Sequence, residues 1–221
     1  MIPQWRFERA IKRLSTNKHA VLRDYANADW PSPDTPACET RYLALDFELD
    51  GLRKDSHLLQ AGFTTFQGTG ITLDHARSLD IRSTAALDNT AVTIHGIGEQ
   101  RAAAGEPLAQ VIHLLIRALS GRVLIAHSAG IEVHALRRSS AKLFGVNLPI
   151  RSICTLELER RLNPNLVGEE DYRLGKCRER YGLPEYRAHD ALTDAIAAAE
   201  LFQAQLTHLS QSSDLSSLER Y

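Results

Sequence analysis

The 221-residue chain is expected to fold as an α/β protein, with a mixed central β-sheet flanked by helices and a helical N-terminal extension. Three features lead there. Short β-rich runs separated by turn residues fill the stretch from Arg41 to Ala76, an amphipathic helix follows, and strand-like and helix-like segments then alternate.

The first segment, "IPQWRFERAIKRLSTNKHAVLRDYANADW", mixes apolar and basic residues at helical spacing before "PSPDTP" interrupts it. Proline fixes φ and lacks an amide donor, which suits a linker or an extended strap. Residues 1–40 therefore stand as an appendage. Its Arg6, Arg9, Lys12, Arg13 and Lys18 suit a solvated helix face, or alternatively a surface for phosphates or a partner. "RYLALDFELD", "HLLQAGFTTFQ" and "GITLDHA" then read as three strands of a meander.

In "GEPLAQVIHLLIRALSG", Val111, Leu114, Leu115, Ala118 and Leu119 recur at helical spacing between Pro107 and Gly121, marking an amphipathic helix. "RVLIA" is a short buried strand, and "GIEVHALRRSSAKLFG" a helix closing on Gly145. "IRSICTLEL" is expected as a strand leading into a linker, "DYRLGKCRERYG" as a short helix and "DALTDAIAAAELFQAQLTHL" as a long alanine-rich one. The main domain thus spans residues 41–208, and residues 209–221 form a polar tail expected to be mobile.

Composition narrows the function. With 43% hydrophobic and 24% charged residues the chain has enough apolar material to fold. Lys and Arg number 26 against 27 Asp and Glu, so no global basic field draws nucleic acid, and such a substrate must be gripped locally. No apolar run reaches the ~18 residues of a membrane span and the start lacks a signal-peptide stretch, so a cytoplasmic protein is expected. Cys38, Cys154 and Cys177 are unevenly spaced, which suits reduced thiols rather than a zinc site or a disulfide framework.

Three stretches carry candidate chemistry. In "LALDFELD", Asp46 and Glu48 lie two apart in a strand and share a face, while Leu45, Phe47 and Leu49 take the other. Two carboxylates on one face suit a hard divalent cation such as Mg²⁺ or Mn²⁺, or else the solvated face of an edge strand. In "YRAHDALTDAIAAAEL", Asp190 can cap the alanine-rich helix, leaving His189 at its mouth for proton transfer and Asp194 one turn in for metal ligation. Alternatively these are an ordinary cap and its solvated neighbours.

The third stretch, "AHSAGIE", is ambiguous. Glu132 falls in the first turn of a helix after a buried strand, near the strand end where α/β sites assemble, although an acid there also complements the helix dipole. Ser128 instead resembles a nucleophile elbow, with "HGIG" as an oxyanion segment and Asp171 and His189 in triad order. Ala126 stands where the elbow has glycine, and a serine hydrolase leaves Asp46, Glu48 and Asp194 without a role.

Considered jointly, "DFE" at 46–48, "HSAGIE" at 127–132 and "HDALTD" at 189–194, with "IHGIGEQ" at 94–100, resemble the DEDDh exonucleases. That family's pattern is D-x-E, H-N-A-x-F-D and H-x-x-x-x-D. The resemblance covers roughly residues 41–205, with Ser128 in place of the family's Asn and Glu132 in place of its middle Asp. It implies a ribonuclease H-like fold and 3′→5′ hydrolysis of single-stranded DNA or RNA ends, DNA favoured, releasing nucleoside monophosphates. Two divalent ions, Mg²⁺ or Mn²⁺, are implied with it. Asp46 would bridge them, Glu48 and Asp194 would complete one site, Glu132 would support the second through water, and His189 would take the proton of the attacking water.

By the same resemblance Leu52, beside Gly51, would wedge against the terminal base. The Phe47 backbone, His95 and Ile131 would line the nucleotide pocket. Because the family includes a proofreading subunit of bacterial DNA polymerase III, a polymerase partner is also implied. A catalytically inactive binding relative is the other outcome, for which the Glu132 departure is the sequence hint.

Overall fold

The computed structural model describes residues 4–51, 53, 56–84, 87, 92–93, 95–209 and 213–219. Strands β1 (Arg41–Leu49), β2 (Leu58–Gln67) and β3 (Gly70–Asp80) form the expected antiparallel meander. Helices α1 (Gln4–Leu14) and α2 (Ala20–Ala26) precede it. After it come α3 (Glu99–Ala104), α4 (Leu108–Leu119), β4 (Val123–Ala126), α5 (Gly130–Phe144) and β5 (Ser152–Cys154). Helices α6 (Thr155–Leu162), α7 (Leu174–Arg180), α8 (Ala191–Thr207) and α9 (Leu215–Leu218) complete the chain.

The sheet order is β3-β2-β1-β4-β5, with β4 parallel to both β1 and β5. β1 is thus central, and its two faces are buried differently. Leu43, Leu45 and Phe47 meet Val111, Ile112 and Leu115 of α4 and Leu136 of α5 in one core. Tyr42 and Ala44 meet Ala195, Ala199 and Phe202 of α8 in the other. The period of two in the strand makes Asp46 and Glu48 the next members of the α8-facing row.

Helix α8 lies close to the sheet because both surfaces are small there. Its apolar stripe is largely alanine, and Gly62 of β2, paired with Asp46 across the ladder, sits under its first turn. A Cβ on Gly62 would fall 2.0 Å from the carbonyl carbon of Ala191. Glycine inside a strand commonly marks such a backbone approach.

Both termini pack onto the main domain. In the N-terminal helical extension, Leu14, Val21, Leu22 and Tyr25 are buried in the α4-side core, and the Tyr25 hydroxyl donates to the carbonyl of Pro149 at 2.6 Å. The described part of the tail is likewise packed against the domain. Ser213 and the Pro33–Thr35 strap exchange backbone hydrogen bonds with the opposite segment, and Leu215 and Leu218 of α9 enter the α8-side core. Arg151 forms a two-point ion pair with Glu219, at 2.8 and 2.9 Å, with side chains 1% and 0% exposed. The Arg151 guanidinium also donates to the Pro31 carbonyl, which ties the strap, the sheet and the tail together.

The stretch "IRSICTLEL" is also corrected. The strand ends at Cys154, and α6 begins at once. Thr155, Leu158, Glu159 and Leu162 fall on one helical face, but two of the four are polar, so the apolar periodicity is hidden. Among the described residues, no helix is long and apolar enough to cross a membrane.

Removing one partner of a buried ion pair strands the other charge. Glu219→Ala is expected to cost about 3 to 5 kcal/mol in urea unfolding, and Arg151→Met with Glu219→Leu to cost less than the single change. Gly62→Ala must push α8 off the sheet, with an expected loss of about 1 to 3 kcal/mol. Hydrogen exchange would register this as faster exchange at the Ala191 amide. An unchanged rate would mean that α8 does not depend on the missing side chain.

Candidate active site

The site forms where β1 delivers its last two carboxylates beneath the N-terminal turn of α8. Carboxylate oxygens of Asp46, Glu48 and Asp194 all lie within 4.8 Å of one another. Glu132, in the first turn of α5, reaches the same region from the other side. It is 2% exposed, its Oε2 has no hydrogen-bond partner among the described residues, and its charge acts on Asp46.

Crowding carboxylates away from water disfavours their charged forms. Burial, with the charges of Glu132, Asp194, Glu48 and Asp190, pushes Asp46 well above the usual carboxylate range. Burial and then Asp194 push Glu48 up to about 7, and burial pushes Glu132 up to about 8. The Asp194 carboxyl is raised by burial too, against hydrogen bonds from Tyr186 and from the amides of His189 and Asp190. Four acids disposed this way form a donor set suited to a hard divalent cation, which prefers oxygen ligands. The partnerless Glu132 oxygen fits the same need.

The mouth of α8 is shaped by local backbone chemistry. Asp190 caps the helix, accepting from the Thr193 amide at 3.1 Å and its hydroxyl at 2.9 Å. His189 takes the left-handed φ of 67°, unusual for a residue with a Cβ. That turn leaves its ring exposed while its amide donates to Asp194 Oδ2 at 2.7 Å.

A network absent from the sequence motifs holds this turn to the sheet. Gln60 accepts from the Ala191 amide at 3.1 Å and donates to Asp80 at 3.0 Å, and Asp80 is in turn paired with Arg101 at 2.7 Å. Gly62 carried a legible signal as a glycine in a β-rich run. Gln60 and Tyr186, whose hydroxyl donates to Asp194 Oδ1 at 2.8 Å, carried none.

The remaining candidate residues fall at varying distances from the acids. His95 is buried and accepts from the Ile97 amide at 3.1 Å; burial lowers its pKa, against a hydrogen bond with the Leu49 backbone, and the charges of Arg101 and His189 add to the lowering. Ile131 is 40% exposed beside Glu132. The Phe47 side chain turns into the α4-side core, leaving only its backbone towards the acids. Gly51 follows β1 with φ 151°, and Leu52 lies outside the described residues.

The other two residues singled out in "AHSAGIE" have structural settings. His127 is locked between the Thr155 hydroxyl and the Tyr172 carbonyl, each at 2.8 Å, and burial pushes it down to about 4. The carbonyl can only accept, so Nε2 carries the proton. Ser128 does take the left-handed φ of an elbow, at 69°. Among the described residues, however, its hydroxyl makes no hydrogen bond to His189 or Asp171, and it faces a cleft shared with His134, Arg137 and Cys154.

Comparison with known proteins shows the family and the fold. The DNA polymerase III epsilon subunit of Treponema pallidum is 26% identical over 168 residues, covering 76% of this chain and 77% of that protein. The PolC-type DNA polymerase III of Thermotoga maritima is 26% identical over 172 residues, 77% of this chain. The chain spans only 12% of that polymerase's length.

Among solved structures, Exonuclease X in complex with 5′-overhanging duplex DNA superposes with a TM-score of 0.61 at 22% identity, covering 76% of this chain and 92% of that one. E. coli Exonuclease I in complex with a dA16 oligonucleotide gives 0.68 at 15% identity, covering 79% and 42%. These likenesses show the shared ribonuclease H-like fold. The sequence profile of the RNase T exonuclease family matches residues 43–202, a span that holds all four acids and His189, and the chain belongs to that family.

Proposed function

We propose that this protein is a metal-dependent 3′→5′ exonuclease that hydrolyses phosphodiester bonds at the 3′ ends of single-stranded nucleic acid, DNA favoured, releasing nucleoside 5′-monophosphates. One observation carries it: Asp46, Glu48 and Asp194 converge from a strand and a helix within 4.8 Å in a chain of the exonuclease family. Solved relatives bound to DNA with the same fold support the substrate class.

Asp46, Glu48 and Asp194 would hold one divalent ion, Mg²⁺ or Mn²⁺. Glu132, whose buried oxygen lacks a partner among the described residues, would help to hold a second. Ions held there would supply charge to neutralise the phosphate and to lower the pKa of a bound water. His189 is the proton acceptor: an imidazole suits proton transfer near neutrality, and the left-handed turn at this residue presents the ring to solvent at the mouth of the site.

The terminal nucleotide would lie between the Phe47 backbone, Gly51, His95 and Ile131, with Leu52 wedging its base. Sequence-tolerant apolar and stacking contacts suit a frayed single strand. The relatives named as polymerase III proteins support a DNA polymerase as partner.

With 5′-labelled single-stranded DNA and Mg²⁺ or Mn²⁺, a descending ladder of products is expected, abolished by EDTA. Asp46→Asn should slow it by about a thousandfold, since a metal ligand set is worth several kcal/mol in the transition state. Intact DNA under every condition would sink the proposal.

The raised carboxyls also predict a pH signature. Their folded pKa values exceed the unfolded ones, so their contribution to stability is fully present below about 4.5 and is lost as pH rises through about 7 for Glu48 and about 8 for Glu132. A cation that binds the charged forms reverses this loss. The melting-temperature gain from Mn²⁺ over EDTA is therefore expected to be larger at pH 8 than at pH 5, and equal gains would contradict the ligand assignment.

A further inference from the structure

Asp194 is held by both of its oxygens. Oδ2 accepts from the backbone amides of His189 and Asp190, at 2.7 and 3.2 Å. Oδ1 accepts from the Tyr186 hydroxyl at 2.8 Å. The two amides belong to the helix mouth itself and would be met by almost any residue with this backbone. The hydroxyl is different, because it comes from a side chain outside the recognised motifs, on the loop between α7 and α8.

A carboxylate anchored at one oxygen can still swing about that contact. Anchored at both, its plane is set, and with it the direction of the lone pairs that face Asp46 and Glu48. Tyr186 is itself braced. The Arg178 guanidinium lies over its ring at 5.0 Å, a favourable cation–aromatic contact. That guanidinium is held by the carbonyls of Ala197 at 2.9 Å and Pro184 at 3.1 Å and by Glu200 at 2.6 Å. Arg178 is 3% exposed, so α7, the loop and the middle of α8 all bear on the position of one hydroxyl.

We propose that Tyr186 is a positioning residue that sets the plane of the Asp194 carboxylate for the divalent ion, with Arg178 bracing its ring. This rests on the metal-ligand role given to Asp194 above. Partners that orient a metal-ligating carboxylate commonly contribute about ten- to a hundredfold in metal affinity. Tyr186 acts through Asp194 and does not touch the reacting atoms.

Tyr186→Phe removes the hydroxyl and keeps the ring under Arg178. In calorimetric titration of the full chain with Mn²⁺, without nucleic acid, the expected result is affinity weaker by about ten- to a hundredfold. Urea unfolding in EDTA and in saturating Mn²⁺ supplies a second measurement. The stability gained from Mn²⁺ should shrink by about 1.4 to 2.8 kcal/mol, which is that loss of affinity converted at 1.4 kcal/mol per tenfold.

Unchanged Mn²⁺ affinity in Tyr186→Phe would overturn this proposal alone. Equal stability losses in EDTA and in Mn²⁺ would overturn it too, by showing a purely structural bond. A wild-type chain that binds no divalent cation would instead remove the ligand assignment of Asp194, and the role of Tyr186 with it.

Discussion

Mutual repulsion among carboxylates is the constraint on which the rest of this molecule depends. Like charges about 5 Å apart oppose each other by about 3 kcal/mol at an effective dielectric constant of ~20. Asp46, Glu48 and Asp194 meet within 4.8 Å, and the charge of Glu132 acts on Asp46 as well. Such a cluster persists only because apolar packing elsewhere holds its elements rigidly. Leu43, Leu45 and Phe47 anchor β1 on the face opposite the acids, and Ala195, Ala199 and Phe202 seat α8 on the same face as the acids.

Small residues and buried polar contacts then set how close the elements come. Gly62 lets the first turn of α8 rest on β2 beside Asp46, and Gln60 ties that turn to the sheet through the Ala191 amide. On the other side, His127 clamps the end of β4 to α6 and to the segment before α7, which positions the start of α5 and so Glu132. The strongly shifted carboxyls are a consequence of this rigidity. A softer scaffold would relieve the repulsion by moving the acids apart.

The termini stabilise the opposite end of the sheet. The strap at 31–36 and the segment at 213–219 cross one another, and the buried Arg151–Glu219 pair joins them to the strand region before β5. The terminal segments lie outside the span matched to the exonuclease family, yet Leu14, Val21, Leu22 and Tyr25 enter the α4-side core and Leu215 and Leu218 the α8-side core. Their place in the structure is therefore integral to packing, even though their polar composition suggested otherwise.

By itself the sequence determined the α/β class, the meander, the main helices and which acids to propose for a site. Those depend on local spacing: alternation in β1, helical periodicity in α4, and the short motifs around Asp46, Glu132 and Asp194. Tertiary structure alone decided the helix at Thr155, whose buried face includes Thr155 and Glu159, and the docking of a tail containing Glu219. It alone decided the partnerships of Gln60 with Ala191 and Tyr186 with Asp194. The physical reason is common to all of these. A buried polar group is favourable only when a partner meets it, and each partner here lies on another element of the fold, where spacing along the chain carries no trace of it.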